Sequence, residues 1–206
     1  MLFRSAADPV VEPWPTPAAS PRRICDLLRL YSPSLDKGRI IAGRETDRLT
    51  LRPRDSLRLP HRINIDKDTG MALAMATAGP DGQMLERYEY AEIRYGPRLV
   101  ENNEPAATTR HDPERVVVPG FFLILEEPDG GVFVVSDGLA TASVFVEPLP
   151  LGAPGGEGAV IQGATLSYTR GVPGTGGGLL ISVLGEVPLV TARLLADAVR
   201  APKGAE

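Results

Sequence analysis

V-F-V-V-S-D-G-L-A-T-A-S-V-F-V, from Val132 to Val146, is the stretch that sets the fold class. Two runs rich in β-branched residues flank Ser136-Asp137-Gly138, and Asp-Gly between alternating hydrophobics is the strongest short-range hairpin signal. Working outward, strands are expected over Val116–Val118, Phe121–Glu126, Val132–Ser136, Ala140–Glu147, Val160–Tyr168 and Leu179–Leu184, with loops at Pro148–Gly158 and Gly171–Gly178. Pro188 suits the first position of a helix. Leu189, Ala192, Leu195, Ala196 and Val199 supply that helix's apolar stripe. A small sheet backed by one helix is the natural packing.

Towards the N-terminus the pattern is also β. Prolines at 9, 13, 15, 17 and 21 suit an extended arm, and Ile24–Tyr31 reads as a short amphipathic helix. Ile40-Ile41 begins a strand and Arg48–Arg52 makes another. Leu57, Leu59, His61, Ile63 and Ile65 then alternate with Arg58, Pro60, Arg62 and Asn64, which predicts a strand with a solvated arginine face and, at Pro60, an edge or bulge. Met71, Leu73 and Met75 share one strand face. Tyr88 and Tyr90 fall out of phase with Ile93 and Tyr95, which predicts a bulge near Ala91. The polar, breaker-rich stretch 97–113 reads as a linker.

The totals narrow the function. In 206 residues, 43% apolar, there is room for one domain or two small ones. A net charge of -4 and a pI near 5.3 argue against nucleic acid as a partner. With one cysteine, Cys25, and two histidines, His61 and His111, there is little material for metal or triad chemistry, and no cofactor is expected.

Gly171–Gly178 lacks the Lys-Ser/Thr of a phosphate loop. Asn64-x-Asp66-x-Asp68 has calcium-like spacing, but its glycine is one place late and position twelve is Met75. Ser136-Asp137 has no positioned base, so Asp137 reads as a turn residue. Glu86, Glu89 and Glu92 cannot converge on one strand face. The chain is expected not to be an enzyme.

Several fragments, in order, resemble one family. They are L-x-L-R-P-R-D (Leu49–Asp55), I-N-I-D-K-D-T-G-M-A-L (Ile63–Leu73), G-Q-M-L-E-R-Y-E-Y (Gly82–Tyr90), V-P-G-F (Val118–Phe121), S-D-G-L-A, S-V-F-V-E-P, Gly163-Ala164 and G-E-V-P (Gly185–Pro188). Together they resemble the MucB/RseB family of periplasmic negative regulators of the envelope-stress sigma factor.

The resemblance implies an α+β, mostly antiparallel fold: part of a LolA/LolB-like half-barrel meander, then a small antiparallel sheet with one C-terminal helix. The implied divisions are a disordered or artefactual arm at 1–21, the end of the large domain at 22–96, the linker, a C-terminal domain at 114–200 and a tail at 201–206. The chain is expected to begin partway through the family's large domain, without the signal peptide of a periplasmic protein. An unpaired sheet edge would then favour a homodimer or aggregation.

The implied partner is the periplasmic segment of an RseA/MucA-type anti-sigma factor. Lipopolysaccharide or lipoprotein acyl chains are the implied releasing signal. Phe121, Asp137, Gly138, Leu139, Phe145, Tyr168, Gly185, Glu186, Val187 and Pro188 are the expected partner-facing or supporting residues, with core filling equally open for Phe121 and Phe145. Leu57, Leu59, Ile63, Met71, Leu73, Met75, Tyr88 and Tyr90 are the expected lining of a lipid cavity. A lipid or lipoprotein carrier is the alternative reading.

Overall fold

The computed structural model describes residues 27–94, 96, 112–127, 130–174 and 177–199, and over 112–117 only the backbone path. After a helical turn at 27–30, five strands form an antiparallel meander in sequence order. They are β1 (Tyr31–Lys37), β2 (Thr46–Pro53), β3 (His61–Asp66), β4 (Ala72–Ala78) and β5 (Met84–Glu89).

Seven more strands build the second sheet: β6 (Asp112–Val118), β7 (Phe121–Glu126), β8 (Val132–Ser136), β9 (Thr141–Leu149), β10 (Gly156–Gln162), β11 (Thr165–Val172) and β12 (Gly178–Gly185). Their order is β10-β11-β12-β9-β8-β7-β6. The chain therefore leaves β9, crosses to the far edge, and returns through two hairpins so that β12 pairs with β9. Helix α1 (Leu189–Ala198) follows and packs against β6, β11 and β12. The fold is α+β and mostly antiparallel.

The Asp-Gly hairpin lies where expected, with Ser136 paired to Thr141 across the turn. Several other elements differ from the sequence reading. Tyr31–Lys37, with Pro33 inside it, is a strand, tolerated because β1 is the edge of its sheet. Ile41 forms only a single bridge to Arg44, around a tight turn with Ala42 and Gly43 at positive φ. Val160–Tyr168 is two strands, because Gly163 at φ 60° turns the chain back. Pro60 precedes β3, and β3 is an inner strand, flanked by β2 and β4. The register shifts at Asn64/Ile65 and Thr77/Ala78, and β5 stops at Glu89, so no bulge forms near Ala91. The proposed arm, linker and tail lie outside the described residues, apart from 112–113, which begin β6.

Apolar burial is unequal. The second sheet and α1 enclose Val118, Phe121, Leu123, Val135, Val144, Leu166, Tyr168, Ile181, Val183, Leu195 and their neighbours. The first sheet's own described cluster is Ile41, Leu73 and Ala74. Its other buried positions are largely polar: Thr46, Asn64, Asp66, His61 and Thr77. Asn64 donates to the Thr46 hydroxyl at 3.0 Å, and Thr46 donates to the Arg39 carbonyl at 2.6 Å. Where the sequence mimics a calcium loop, Arg44 takes the cation's place, with Nε 2.5 Å from Asp66 and Nη2 2.9 Å from Asp68. Polar pairing thus replaces part of the apolar core in this sheet.

Candidate functional site

The two sheets meet around one arginine. Residues 54–60 link β2 to β3 and push Leu57 and Arg58 toward the second sheet, where Leu57 packs against the second core. The Leu57 carbonyl accepts a 2.7 Å hydrogen bond from Thr191 on α1. Arg58 has no exposed side-chain surface, and Asp137 of the S-D-G turn has none either. Arg58 Nε donates to Asp137 Oδ2 at 2.9 Å, Nη1 to Asp55 Oδ2 at 2.5 Å and Nη2 to the Pro119 carbonyl at 2.7 Å. Its guanidinium lies 4.9 Å from the centre of the Phe121 ring.

Asp137 is equally committed. Its Oδ1 accepts from the backbone N–H of Leu139 and Ala140, closing the turn, while Oδ2 accepts from Arg58 and from the Tyr31 hydroxyl at 2.9 Å. Burial, then the Asp137 charge and its hydrogen bond, push the Tyr31 hydroxyl above its ordinary range. That proton stays in place. The Tyr31 ring centre is 6.3 Å from His61, whose Nδ1 meets the Thr77 hydroxyl at 3.2 Å. His61 Nε2 finds no partner among the described residues, and burial lowers the ring's pKa against a smaller raising effect of Asp137.

A buried ion pair gains net stability only when its other polar atoms find partners, and here each Arg58 nitrogen and both Asp137 oxygens have one. Removing Arg58 would leave Asp137 an uncompensated buried charge, at a cost of about 3–5 kcal/mol. Gly120 shows how closely the turn approaches: it sits at φ 76°, and a Cβ there would lie 2.1 Å from Arg58 Nη2.

A second, wetter contact joins the sheets at the β10–β11 turn. Glu86 accepts from the Ala164 N–H at 3.2 Å. Half-buried Glu186, on the G-E-V-P corner, has its carboxyl pushed up by burial and then by the Glu86 charge. On the far side, Glu157 accepts from the Tyr168 hydroxyl at 2.6 Å and from Arg193 of α1 at 2.5 Å. Those two hydrogen bonds hold its carboxyl below the usual range.

Of the expected partner residues, Phe121, Asp137, Tyr168 and Val187 are buried. Leu139, Phe145, Gly185, Glu186 and Pro188 are half-buried, and Gly138 is exposed. Asp137, Gly138 and Leu139 share the turn at the seam, and 185–188 form the corner beside Thr141. Phe145 and Tyr168 lie apart from that turn, on β9 and β11.

Part of the expected cavity lining is brought together: Ile63 pairs with Met75 and Met75 with Tyr88 across β3, β4 and β5, and the Tyr88 hydroxyl lies 3.8 Å from the Met75 sulfur. Leu59 and Leu73 are buried, Leu57 serves the second core, and Ile63 and Met75 are half-buried. Met71, Tyr88 and Tyr90 lie exposed, at 36%, 54% and 42%. The expectation that Arg58 sits on a solvated face is overturned, because the chain leaves strand geometry before β3 and the alternation no longer governs residue 58. Tyr31 and Arg58 are the seam residues that alternation misses. The available signal was an arginine between two leucines (Leu57-Arg58-Leu59) within a breaker-rich connection.

Known proteins share this fold. The MucB/RseB N-terminal domain model matches residues 3–109, and the MucB/RseB C-terminal domain model matches residues 125–200. The chain is 30% identical over 217 residues to the sigma factor AlgU regulatory protein MucB of Pseudomonas aeruginosa PAO1, covering 94% of this chain and 67% of that protein. It superposes with a TM-score of 0.67 on the complex structure of Pseudomonas aeruginosa MucA/MucB, at 30% identity over 87% of this chain and 67% of the other. A crystal structure of MucB in complex with MucA(peri) gives the same TM-score and identity over 92% and 72%. With both family halves matched in order and the two-sheet architecture shared, the chain belongs to the MucB/RseB family.

Proposed function

We infer that this chain is a non-enzymatic periplasmic regulator that binds the periplasmic segment of an RseA/MucA-type anti-sigma factor. By holding that segment it protects the anti-sigma factor from proteolysis and restrains a sigma-E/AlgU-type envelope stress response. The observation that carries this reading is the 30% identity to MucB across nearly the whole chain, joined to the fold it shares with MucB in its complexes with MucA. We further propose a division into the end of a large domain at 22–96, a linker at 97–113 and a C-terminal domain at 114–200.

Gly138, Leu139, Phe145 and the 185–188 corner are the proposed contact residues. Phe121, Asp137, Tyr168 and Val187 support them from within. The committed chemistry of the S-D-G turn favours binding over catalysis. The Ser136 hydroxyl donates to the Ala140 carbonyl at 2.8 Å, and both Asp137 oxygens are engaged. A serine nucleophile would need a free base at that position.

Lipopolysaccharide or lipoprotein acyl chains would act through linkage: a ligand favouring the free protein weakens partner binding by the same factor. The carrier alternative rests on the row of Ile63, Met75 and Tyr88 across β3, β4 and β5, and extraction of the purified protein for bound lipid tests it.

Titration calorimetry of the whole chain against the periplasmic segment of an RseA/MucA-type anti-sigma factor tests the reading. Saturable one-to-one binding is expected. A folded chain that does not bind would overturn it.

A further inference from the structure

We propose that Arg58 and Asp137 form a latch between the sheets, separable from the folding of either, and that this latch positions the partner-binding surface. The latch is built from three directions. Asp55 and Arg58 come from the β2–β3 connection, Pro119 from the β6–β7 turn, and Asp137 from the β8–β9 turn. Tyr31 closes it from β1. All four bonds to Arg58 or to Asp137 Oδ2 have a side-chain donor, and no strand ladder needs them. The β8–β9 turn itself is closed by the other oxygen, Oδ1. Opening the latch would therefore leave both ladders intact while exposing one buried cation and one buried anion to water.

The positioning role rests on the proposed partner reading. Asp137 sits in the same turn as Gly138 and Leu139, and Thr141 at the end of that turn accepts from the Glu186 N–H at 3.3 Å. Arg58 therefore grips the element that carries two proposed contact residues and touches the corner that carries more. It acts on the partner through that turn, without touching the partner.

Spin labels on exposed β1 and β10, placed with Leu35→Cys and Val160→Cys in a Cys25→Ser background, read the distance between the sheets. The parent should give one narrow distribution. Arg58→Met and Asp137→Asn should each add a second, broader population, raising the open fraction on the order of a hundredfold. Amide resonances of β2–β4 and β8–β12 should remain dispersed. Arg58→Lys keeps the charge but not the fork, so it should recover the parent distribution only in part. The double variant Arg58→Met/Asp137→Asn removes the lone buried carboxylate that Arg58→Met leaves, and should open less than Arg58→Met alone.

Affinity for the anti-sigma segment should fall in the single variants by the same factor as the closed fraction falls. Unchanged distances in both single variants would overturn the latch, and so would loss of dispersion in both sheets. Altered distances with unchanged affinity would overturn the positioning role. Failure of the parent itself to bind would count against the partner reading, while the distances would still decide the latch.

Discussion

The second sheet encloses fifteen buried apolar residues between its strands and α1, whereas the first has a described cluster of three. Beside Tyr31, Leu51 and Leu59, the first fills its other buried positions with hydroxyls, an amide, a carboxylate and an imidazole. At about 25 cal/mol per Å² of apolar surface removed from water, that difference puts most of the hydrophobic stabilisation in the second sheet. The first sheet gains specificity from its polar pairs and leans on its neighbour through Leu57, Arg58 and Tyr31. Two regions of similar secondary structure therefore rest on different physics: one has a core, and the other has a network and a seam.

The sharpest way to break this comparison is to remove a large side chain from each region. Phe121→Ala should cost about 3–5 kcal/mol in denaturant unfolding, because Phe121 is fully buried and also underlies the Arg58 guanidinium. Leu73→Ala should cost nearer 2 kcal/mol, since half-buried Ala42 and Ile93 beside it can close in. Its loss should register in β2–β4 amides and spare β8–β12. Equal costs would mean the first sheet is better packed than its cluster indicates.

Two glycines sharpen the picture of the seam. Gly120 and Gly138 both hold positive φ, at 76° and 97°, so alanine strains both by about 1 kcal/mol. Only at Gly120 would the new methyl collide with Arg58 and with Leu30. Gly120→Ala should therefore cost about 2–3 kcal/mol and loosen the seam, while Gly138→Ala should cost about 1 kcal/mol. Thermal unfolding of the two variants side by side checks this.

The smallest effect is a proton. His61 is held below its ordinary pKa of 6.5 by burial, so below pH 6.5 the unfolded chain binds a proton that the folded chain resists. Its contribution is complete above pH 6.5 and diminishes as the pH falls toward the lowered folded value, by at most about 1.4 kcal/mol per pH unit. Glu186 works in the opposite sense. Its carboxyl is raised, so acid relieves the cost of its charge. His61→Gln should flatten the acid side of the stability profile, and the change should map to the first sheet.

The fold was most legible where local rules act alone. The Asp-Gly hairpin, the alternation of β7 to β9 and the apolar stripe of α1 each follow from neighbours in sequence. The turn at Gly163 was legible in principle. It was hidden because the apolar residues on either side continue one another's alternation. β1 carries a proline that argues against a strand until its edge position is known. The seam was the least legible part. An arginine is stable in a buried site only when carboxylates and a carbonyl converge on it, and here they come from positions 55, 119 and 137. No local pattern around residue 58 encodes that convergence. Its local sequence marks Asp137 as a turn residue, which describes its Oδ1 and misses its Oδ2.

Residue-resolved amide hydrogen exchange on the intact protein tests the central claim most directly, namely that a well-cored second sheet supports a network-held first sheet. The account predicts slowest exchange in β9 and β12, with β2–β4 opening at a free energy lower by more than about 1 kcal/mol. Equal protection across both sheets, lost together in a single cooperative opening, would contradict it.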